Sequence, residues 1–276
     1  MAYKDILVYA DTIKSARSRL ELAASIARSH DARLVALHVS TPAYIPVDVG
    51  GAMPASLIEW QEEYQREQAE EARKLVDTVG RRTGQDIEYR LVLGDLLDMA
   101  MLHCSCADVV VVSQSDIEGD EPSMADILPE EIVLGTGRPV IVVPRYGTFQ
   151  GIGQRVLVAW NRTREAARAV HDSLPILRRA ASVVVMEVVD DGADASPVSG
   201  ADISAHLARH GAKVEFSSMT SGDIEIGDVI LSRAADLSAD LIVMGAYGHS
   251  RLREFALGGA TREILQHMTV PVLMSH

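Results

Sequence analysis

The chain has 276 residues, with 26 Lys and Arg against 39 Asp and Glu, a formal net charge of −13. Hydrophobic residues at 47% and charged residues at 24% are globular proportions; they exclude a disordered, collagenous or coiled-coil chain and supply apolar material for about two domains. The acid excess argues against a general nucleic-acid binder, which needs clustered Lys and Arg, and no apolar run approaches the roughly 18 residues of a membrane span.

Met1-Ala2-Tyr3-Lys4-Asp5 leads into the apolar strand Ile6-Leu7-Val8 without a leader pattern, so a cytoplasmic protein is expected. A polar turn and a helical stretch through Ala27 follow, then the strand Arg33–Val39. In Ala52–Gly80, Glu59, Glu62, Glu63, Glu67, Glu70 and Glu71 alternate with Leu57, Tyr64 and Leu75, a long acidic amphipathic helix with a solvated face. Gly94-Asp95 opens another helix before the strand Ala107–Val112. The chain's two cysteines, Cys104 and Cys106, point to different sides of that helix; they form no disulfide framework and read as small buried core residues. No second cluster completes the four ligands of a closed zinc site around them. Arg138–Val143 closes the first half, and Tyr146–Gly153, with three glycines and no apolar period, reads as a linker.

The same order then returns. Val156–Val158 leads through Asn161 and an Ala-rich helix to Ser182–Val188, Gly222-Asp223 precedes a helix and Ala239–Met244, and Val270–Met274 closes the second half. One offset of 132 residues carries Ala107 onto Ala239 and Pro139 onto Pro271, so the last third of each half aligns without a gap. Continuous Val/Ile/Leu runs between helical stretches indicate βα units and a mainly parallel sheet buried on both faces, with five strands per half. The strands after Pro139 and Pro271 would be sheet edges, which tend to find partners.

Beyond Met244 the sequence reads Gly245-Ala246-Tyr247-Gly248-His249-Ser250-Arg251-Leu252-Arg253-Glu254-Phe255-Ala256-Leu257-Gly258-Gly259-Ala260-Thr261, with a helix expected from Arg262. Glycines after a strand let main-chain N–H groups approach a ligand, and a following helix end adds unpaired donors, an arrangement suited to phosphate. In an open parallel sheet such loops lie at the carboxyl ends of the strands, where ligands dock. His249, Arg251, Arg253 and Arg262 gather around this loop in an otherwise acidic chain, and Arg251 is the best single candidate for a phosphate contact.

Here the sequence resembles the universal stress protein family, whose nucleotide signature G-x2-G-x9-G is matched by Gly245, Gly248 and Gly258. Ala239–Gly245 and Val270–Leu273 look like that family's fourth and fifth strands, and the resemblance covers nearly the whole chain as two tandem domains, 1–146 and 154–276. It implies an α/β fold of two Rossmann-like, adenine nucleotide alpha hydrolase-like domains, each a mainly five-stranded parallel sheet flanked by helices. It further implies binding of ATP or another adenine nucleotide, with or without magnesium. By position, the adenosine end would lie near Ala159, Asn161 and Val188, while Met244, Gly245, Gly248, Gly258, Gly259 and Ala260 would hold ribose and phosphates.

Two positions depart from the family pattern. Gly259 stands where Ser or Thr is usual, keeping an N–H but losing a hydroxyl donor, and Asn161 replaces an Asp, its amide expected to accept from a ribose hydroxyl. The first half loses the signature altogether, because the positions equivalent to Gly245, Gly248, Gly258 and Gly259 are Ser113, Asp116, Asp126 and Ile127. Asp116, Glu118, Asp120, Glu121 and Asp126 would repel phosphate, although Asp11 and His38-Val39 retain the family's look. That half reads as structural or regulatory, or as the site of a different, metal-bridged ligand.

Other constellations carry less. His206 and His210, four apart, have the spacing of paired metal ligands without a third and read as a surface helix. Asp98, His103, Asp108 and Ser113 make a triad only on paper, Gly135-Thr136-Gly137 is a turn, and neither a nucleophile elbow nor a Walker lysine motif occurs. The expected function is a nucleotide-dependent binding switch in a stress response; a nucleotide-free interaction or chaperone-like protein and a weak ATPase are the alternatives. No catalytic residue is expected, and hydrolysis would be slow for want of a base or magnesium-holding carboxylate beside the loop. The family's habit of pairing fifth strands implies an internal pseudo-dimer of the two halves, with a homodimer and an unknown protein partner beyond it.

Overall fold

The computed structural model describes residues 2–41, 55–115, 124–189, 200–220, 222, 224–248 and 259–276. The first half runs β1 (Asp5–Tyr9), α1 (Ala16–His30), β2 (Arg33–Ser40), α2 (Ala55–Thr83), β3 (Ile87–Leu93), α3 (Leu96–Cys104), β4 (Val109–Ser113), α4 (Met124–Gly135) and β5 (Val140–Val143). The second runs β6 (Arg155–Trp160), α5 (Arg164–Leu177), β7 (Ser182–Val189), α6 (Gly200–Arg209), β8 (Val214–Thr220), α7 (Ile226–Asp236), β9 (Leu241–Gly245), α8 (Gly259–His267) and β10 (Val272–Ser275). Each half has the five expected strands, in the order β3-β2-β1-β4-β5 and its repeat β8-β7-β6-β9-β10. Within a half every pairing is parallel; β5 and β10 pair antiparallel, with Leu273 opposite Ile141, and join the halves into one ten-stranded sheet. The strands after the two prolines are therefore central, and β3 and β8 are the edges.

Apolar side chains on both faces of the strands force helices onto both sides. α1, α2, α5 and α6 cover one face over Leu20, Val79, Leu177 and Leu207; α3, α4, α7 and α8 cover the other over Ala100, Ile132, Ile230 and Ile264. Both cores run through residues of both halves. The repeat is also visible in its fastenings: the Asp108 carboxylate accepts from the N–H groups of Lys4 and Asp5 at the head of β1, and Asp240 accepts from Gly153, Gln154 and Arg155 at the head of β6. Helix starts follow their caps. Asp95 accepts from Leu97 and Asp98 N–H at α3, and Thr163 accepts from Ala166 N–H at α5.

Three expectations need correction. Cys104 is buried, its thiol pushed up to about 12 by burial, whereas Cys106 at the frayed end beyond α3 is exposed. Helix α8 begins at Gly259, not Arg262, so Gly259 and Ala260 belong to the helix itself. The acidic helix occupies Ala55–Thr83 among the described residues, ending later than the charge pattern suggested.

Candidate functional site

Sheet order decides where a ligand can sit. β6 pairs on one side with β7 and on the other with β9, so their carboxyl ends diverge into connections on opposite faces and leave a crevice at the switch point. A cavity of about 350 Å3 opens there, within the range of small-molecule sites. Ala159, Asn161, Val188, Met244, Gly245, Gly248, Gly259 and Ala260, all named from the sequence, line it. Arg251 and Gly258, with His249 and Arg253, lie outside the described residues.

Six further residues complete the wall: Trp160, Met186, Glu225, Ile226, Ile230 and Thr261. Strand alternation could have found Met186, two residues before Val188 on the same face. Ile226 and Ile230 are a turn apart on α7, whose start Gly222-Asp223 signals; nothing in the sequence places that helix against β7 and β9. Met186, Val188, Ile226, Ile230 and Met244 give an apolar, flat-sided end, while Gly248 and the first residues of α8 give a polar end rich in main-chain groups.

Glycine is required at the end of β9 and closely fitted at Gly248. A Cβ on Gly245 would lie 2.6 Å from the Glu165 carbonyl carbon and closer still to Ala166 N, so β9 and α5 touch backbone to backbone. A Cβ on Gly248 would come to 3.1 Å from Glu165 Oε2 and 3.3 Å from Thr163 Oγ1. Gly259 differs, because nothing lies within 4 Å of its Cβ direction and a side chain there would enter open space. Between them Tyr247 takes a left-handed backbone, φ 57°, uncommon for a bulky residue, and its N–H donates to Thr261 Oγ1 at 3.4 Å. Burial, then Glu130 and Glu131 of α4, raise the Tyr247 phenol well above its ordinary value, so it stays protonated beside the first half.

Asn161 does not present the acceptor expected of it. Its Oδ1 takes the Thr163 hydroxyl at 2.8 Å and the Thr163 N–H at 3.3 Å, which leaves the amide N–H2 for a ligand. Glu165, unnoticed in the sequence, is a 3%-exposed carboxylate beneath Gly248. Burial pushes its pKa up, but hydrogen bonds from the Arg164 guanidinium and a backbone N–H bring it below the usual carboxylate value. A carboxylate that the sequence pattern does not single out therefore stands beneath the loop, paired with Arg164.

At the equivalent end of the first half, strand register matches Ser113 to Gly245 and Asp11 to Asn161. Arg19, 1% exposed, donates to Ser113 Oγ at 2.6 Å and to Asp11 Oδ1 at 2.9 Å, and Ser15 Oγ meets Ser113 Oγ at 3.0 Å. The tip of that crevice is tied by the chain's own cation. Ser113 and Asp108 are thus committed elsewhere than to a triad. His38 Nδ1 is bonded to Ala10 O at 2.7 Å. The acidic Asp116, Glu118, Asp120 and Glu121, and the side chain of Asp126, lie outside the described residues. The rings of His206 on α6 and His210 just past its end lie tilted, with centroids 4.6 Å apart, and no group of three metal-ligating side chains occurs among the described residues.

The sequence model of the universal stress protein family matches residues 2–93 and 153–276. The chain belongs to the universal stress protein family. The unmatched stretch between those segments holds α3, β4, α4 and β5, where the glycine signature of the second half is replaced. A universal stress protein of Synechocystis sp. is 39% identical over 46 residues, a match spanning 17% of this chain and 16% of that protein. Among solved structures, a universal stress protein from Archaeoglobus fulgidus superposes with a TM-score of 0.72 at 15% identity, covering 98% of this chain and 96% of its own. A protein of unknown function from Pseudomonas aeruginosa PAO1 gives 0.59 at 15% identity, covering 99% and 92%. These two share the tandem Rossmann-like fold of this universal stress protein along its whole length.

Proposed function

We propose that this universal stress protein is an adenine-nucleotide-binding switch whose working site is the crevice of the second half. The observation that carries the reading is the joint placement, around one cavity, of residues from four separate elements that the family resemblance singled out one by one. Adenine stacks in the apolar end among Met186, Val188, Ile226 and Ile230, with main-chain groups of β7 reading its edge. Ribose lies by Ala159 and the Asn161 amide, and phosphate meets the N–H groups of Gly248 and of the first turn of α8, where the helix dipole is positive. ATP or a related adenine nucleotide is the ligand, with or without magnesium.

The halves divide the work. We assign residues 1–146 and 154–276 as two domains, each contributing five strands to the shared sheet and the second holding the ligand. Ligand in the crevice is read out through Tyr247, which stands beside Glu130 and Glu131 of α4 in the first half. Turnover is no part of the function. We place its action in the cytoplasm as part of this reading; no helix among the described residues is long and apolar enough to cross a membrane. Homodimerisation and a protein partner complete the proposal.

Isothermal titration with adenine nucleotides, and thermal unfolding in their presence, test it. Binding at one site per chain, lost in Gly248→Val, supports the switch. A chain that binds no nucleotide yet retains a stable partner in pull-downs is the interaction protein instead, and steady phosphate release dependent on Gly248 makes it an ATPase.

A further inference from the structure

At the end of the sheet opposite the nucleotide crevice, a second cavity of about 430 Å3 opens between the halves. Its walls are the last turns of α1, the stretch 150–154 that joins the halves, the end of α5 and Asp240 at the head of β9, all among the described residues. The joining stretch is fastened in place. Ser18 and Ser25 of α1 donate to the carbonyls of Gly147 and Gln150 at 3.0 and 2.9 Å, and Asp240 accepts from Gly153 N–H at 2.8 Å. Gly153 takes a left-handed backbone, φ 89°, and a Cβ there would lie 2.4 Å from Ile176 Cγ2, so the stretch also packs directly on α5.

The acceptors of this wall are spent and its donors are not. Ser29 O accepts from the Arg179 guanidinium, Gln150 O from Ser25, and Ile26 O from Ser29 Oγ at 2.8 Å. The Asp240 carboxylate takes four contacts from the N–H groups of Gly153, Gln154 and Arg155, about as many as a carboxylate accepts. Left over, among the described residues, are Nε and Nη2 of Arg179 and the main-chain N–H groups of Gly151 and Ile152. His30, 4% exposed, stands on the same wall against Tyr3, and its buried Nδ1 has no partner among the described residues, which is uncommon for a polar atom at such depth. Burial and Arg179 keep that imidazole neutral near pH 7, so Arg179 is the cation of this wall among the described residues. Ile26, Ile152 and Ile176 supply an apolar floor. Helices α1 and α5 both end here with dipoles that oppose an anion. Their last carbonyls, however, are taken by the N–H groups of Asp31, Ala32, Arg179 and Ala180, and a charge-assisted pair with a guanidinium outweighs the field of a helix end.

We propose that this cavity between the halves binds a small monocarboxylate with a compact apolar body, an aromatic or branched aliphatic acid. The carboxylate meets the Arg179 guanidinium and the N–H groups of Gly151 and Ile152, while the body lies on the three isoleucines. Inorganic phosphate would leave those isoleucines uncovered, and a neutral amide would forgo the charge. The bound acid touches α1 of the first half, the joining stretch and α5 of the second at once, and so clamps the halves together.

Isothermal titration of the full chain with benzoate and isovalerate, with benzamide and inorganic phosphate as controls, tests this, and amide NMR spectra of the labelled chain locate the site. The acids are expected to bind at one site per chain with a Kd of about a millimolar or tighter, benzamide and phosphate at least about tenfold more weakly, and the shifts to fall on Gly151 and Ile152 rather than Gly248. Arg179→Gln should weaken benzoate at least about tenfold, and Arg179→Lys less. Arg179 is exposed, so both variants should keep the wild-type circular dichroism. No saturable binding of either acid, benzamide or phosphate binding as tightly as benzoate, shifts confined to Gly248 and its neighbours, or Arg179→Gln binding benzoate like the wild type overturns the proposal. None of these outcomes bears on the adenine-nucleotide reading, which concerns the other end of the sheet.

Discussion

The two halves share strand order, helix placement and the aspartate fastenings of Asp108 and Asp240, yet they end differently at the carboxyl edge of the sheet. In the first, Ser113 ends β4 and is tied to buried Arg19, which also holds Asp11; in the second, glycine occupies the Ser113 position, Asn161 that of Asp11 and alanine, at Ala169, that of Arg19. A buried cation with its own carboxylate closes one crevice, while small residues and bare main chain keep the other open. Loss of a ligand site in a duplicated fold thus need not disturb the scaffold, because side chains at the sheet edge can satisfy each other.

The most disruptive break of this comparison is Arg19→Ala. It leaves the Asp11 carboxylate without its cation and should cost about 3–5 kcal/mol in urea denaturation, with nucleotide affinity of the second half unchanged. A parallel loss of affinity would show that the tied crevice takes part in binding.

Next in size is the join between halves. His30, 4% exposed, packs against Tyr3 with tilted rings 4.8 Å apart, and burial, with Arg179 of the second half, lowers its pKa from 6.5 to about 4. The unfolded chain binds its proton below 6.5 and the folded chain only below about 4, so stability falls as pH drops through that window, by about 3 kcal/mol at most, and levels off beneath it. Thermal unfolding from pH 7 to 4 checks this, and His30→Gln should flatten the slope.

Gly245→Val drives a side chain into the backbone of α5 and should cost about 1–3 kcal/mol, with loss of measurable nucleotide binding. The smallest effect sharpens the contrast by addition. Gly259→Ser puts the family's usual hydroxyl into open space and should raise nucleotide affinity about threefold to tenfold without altering the melting temperature of the free protein.

Much of the architecture was legible because parallel strands buried on both faces read as unbroken apolar runs, as in Val109–Val112 and Leu241–Met244, and because the repeat fixed their order twice. The glycine positions were legible for a similar reason, since close backbone approach leaves few alternatives to glycine. What remained hidden depends on which elements meet. Trp160, Met186 and Ile230 reach the cavity from three elements brought together only by sheet order, Glu165 is an ordinary helix residue until Gly248 is laid over it, and Arg19 reads as a surface cation until its partners are known. Cys106 differs from Cys104 only in lying past the end of α3, a boundary no residue pattern marks.

The central claim is that one half, and only one, holds an adenine nucleotide. Equilibrium dialysis of the full chain with labelled AMP, run alongside Gly248→Val and Arg19→Ala, addresses it directly. One site per chain, abolished by Gly248→Val and retained in Arg19→Ala, is the predicted result; two sites per chain, none, or binding indifferent to Gly248→Val would contradict it.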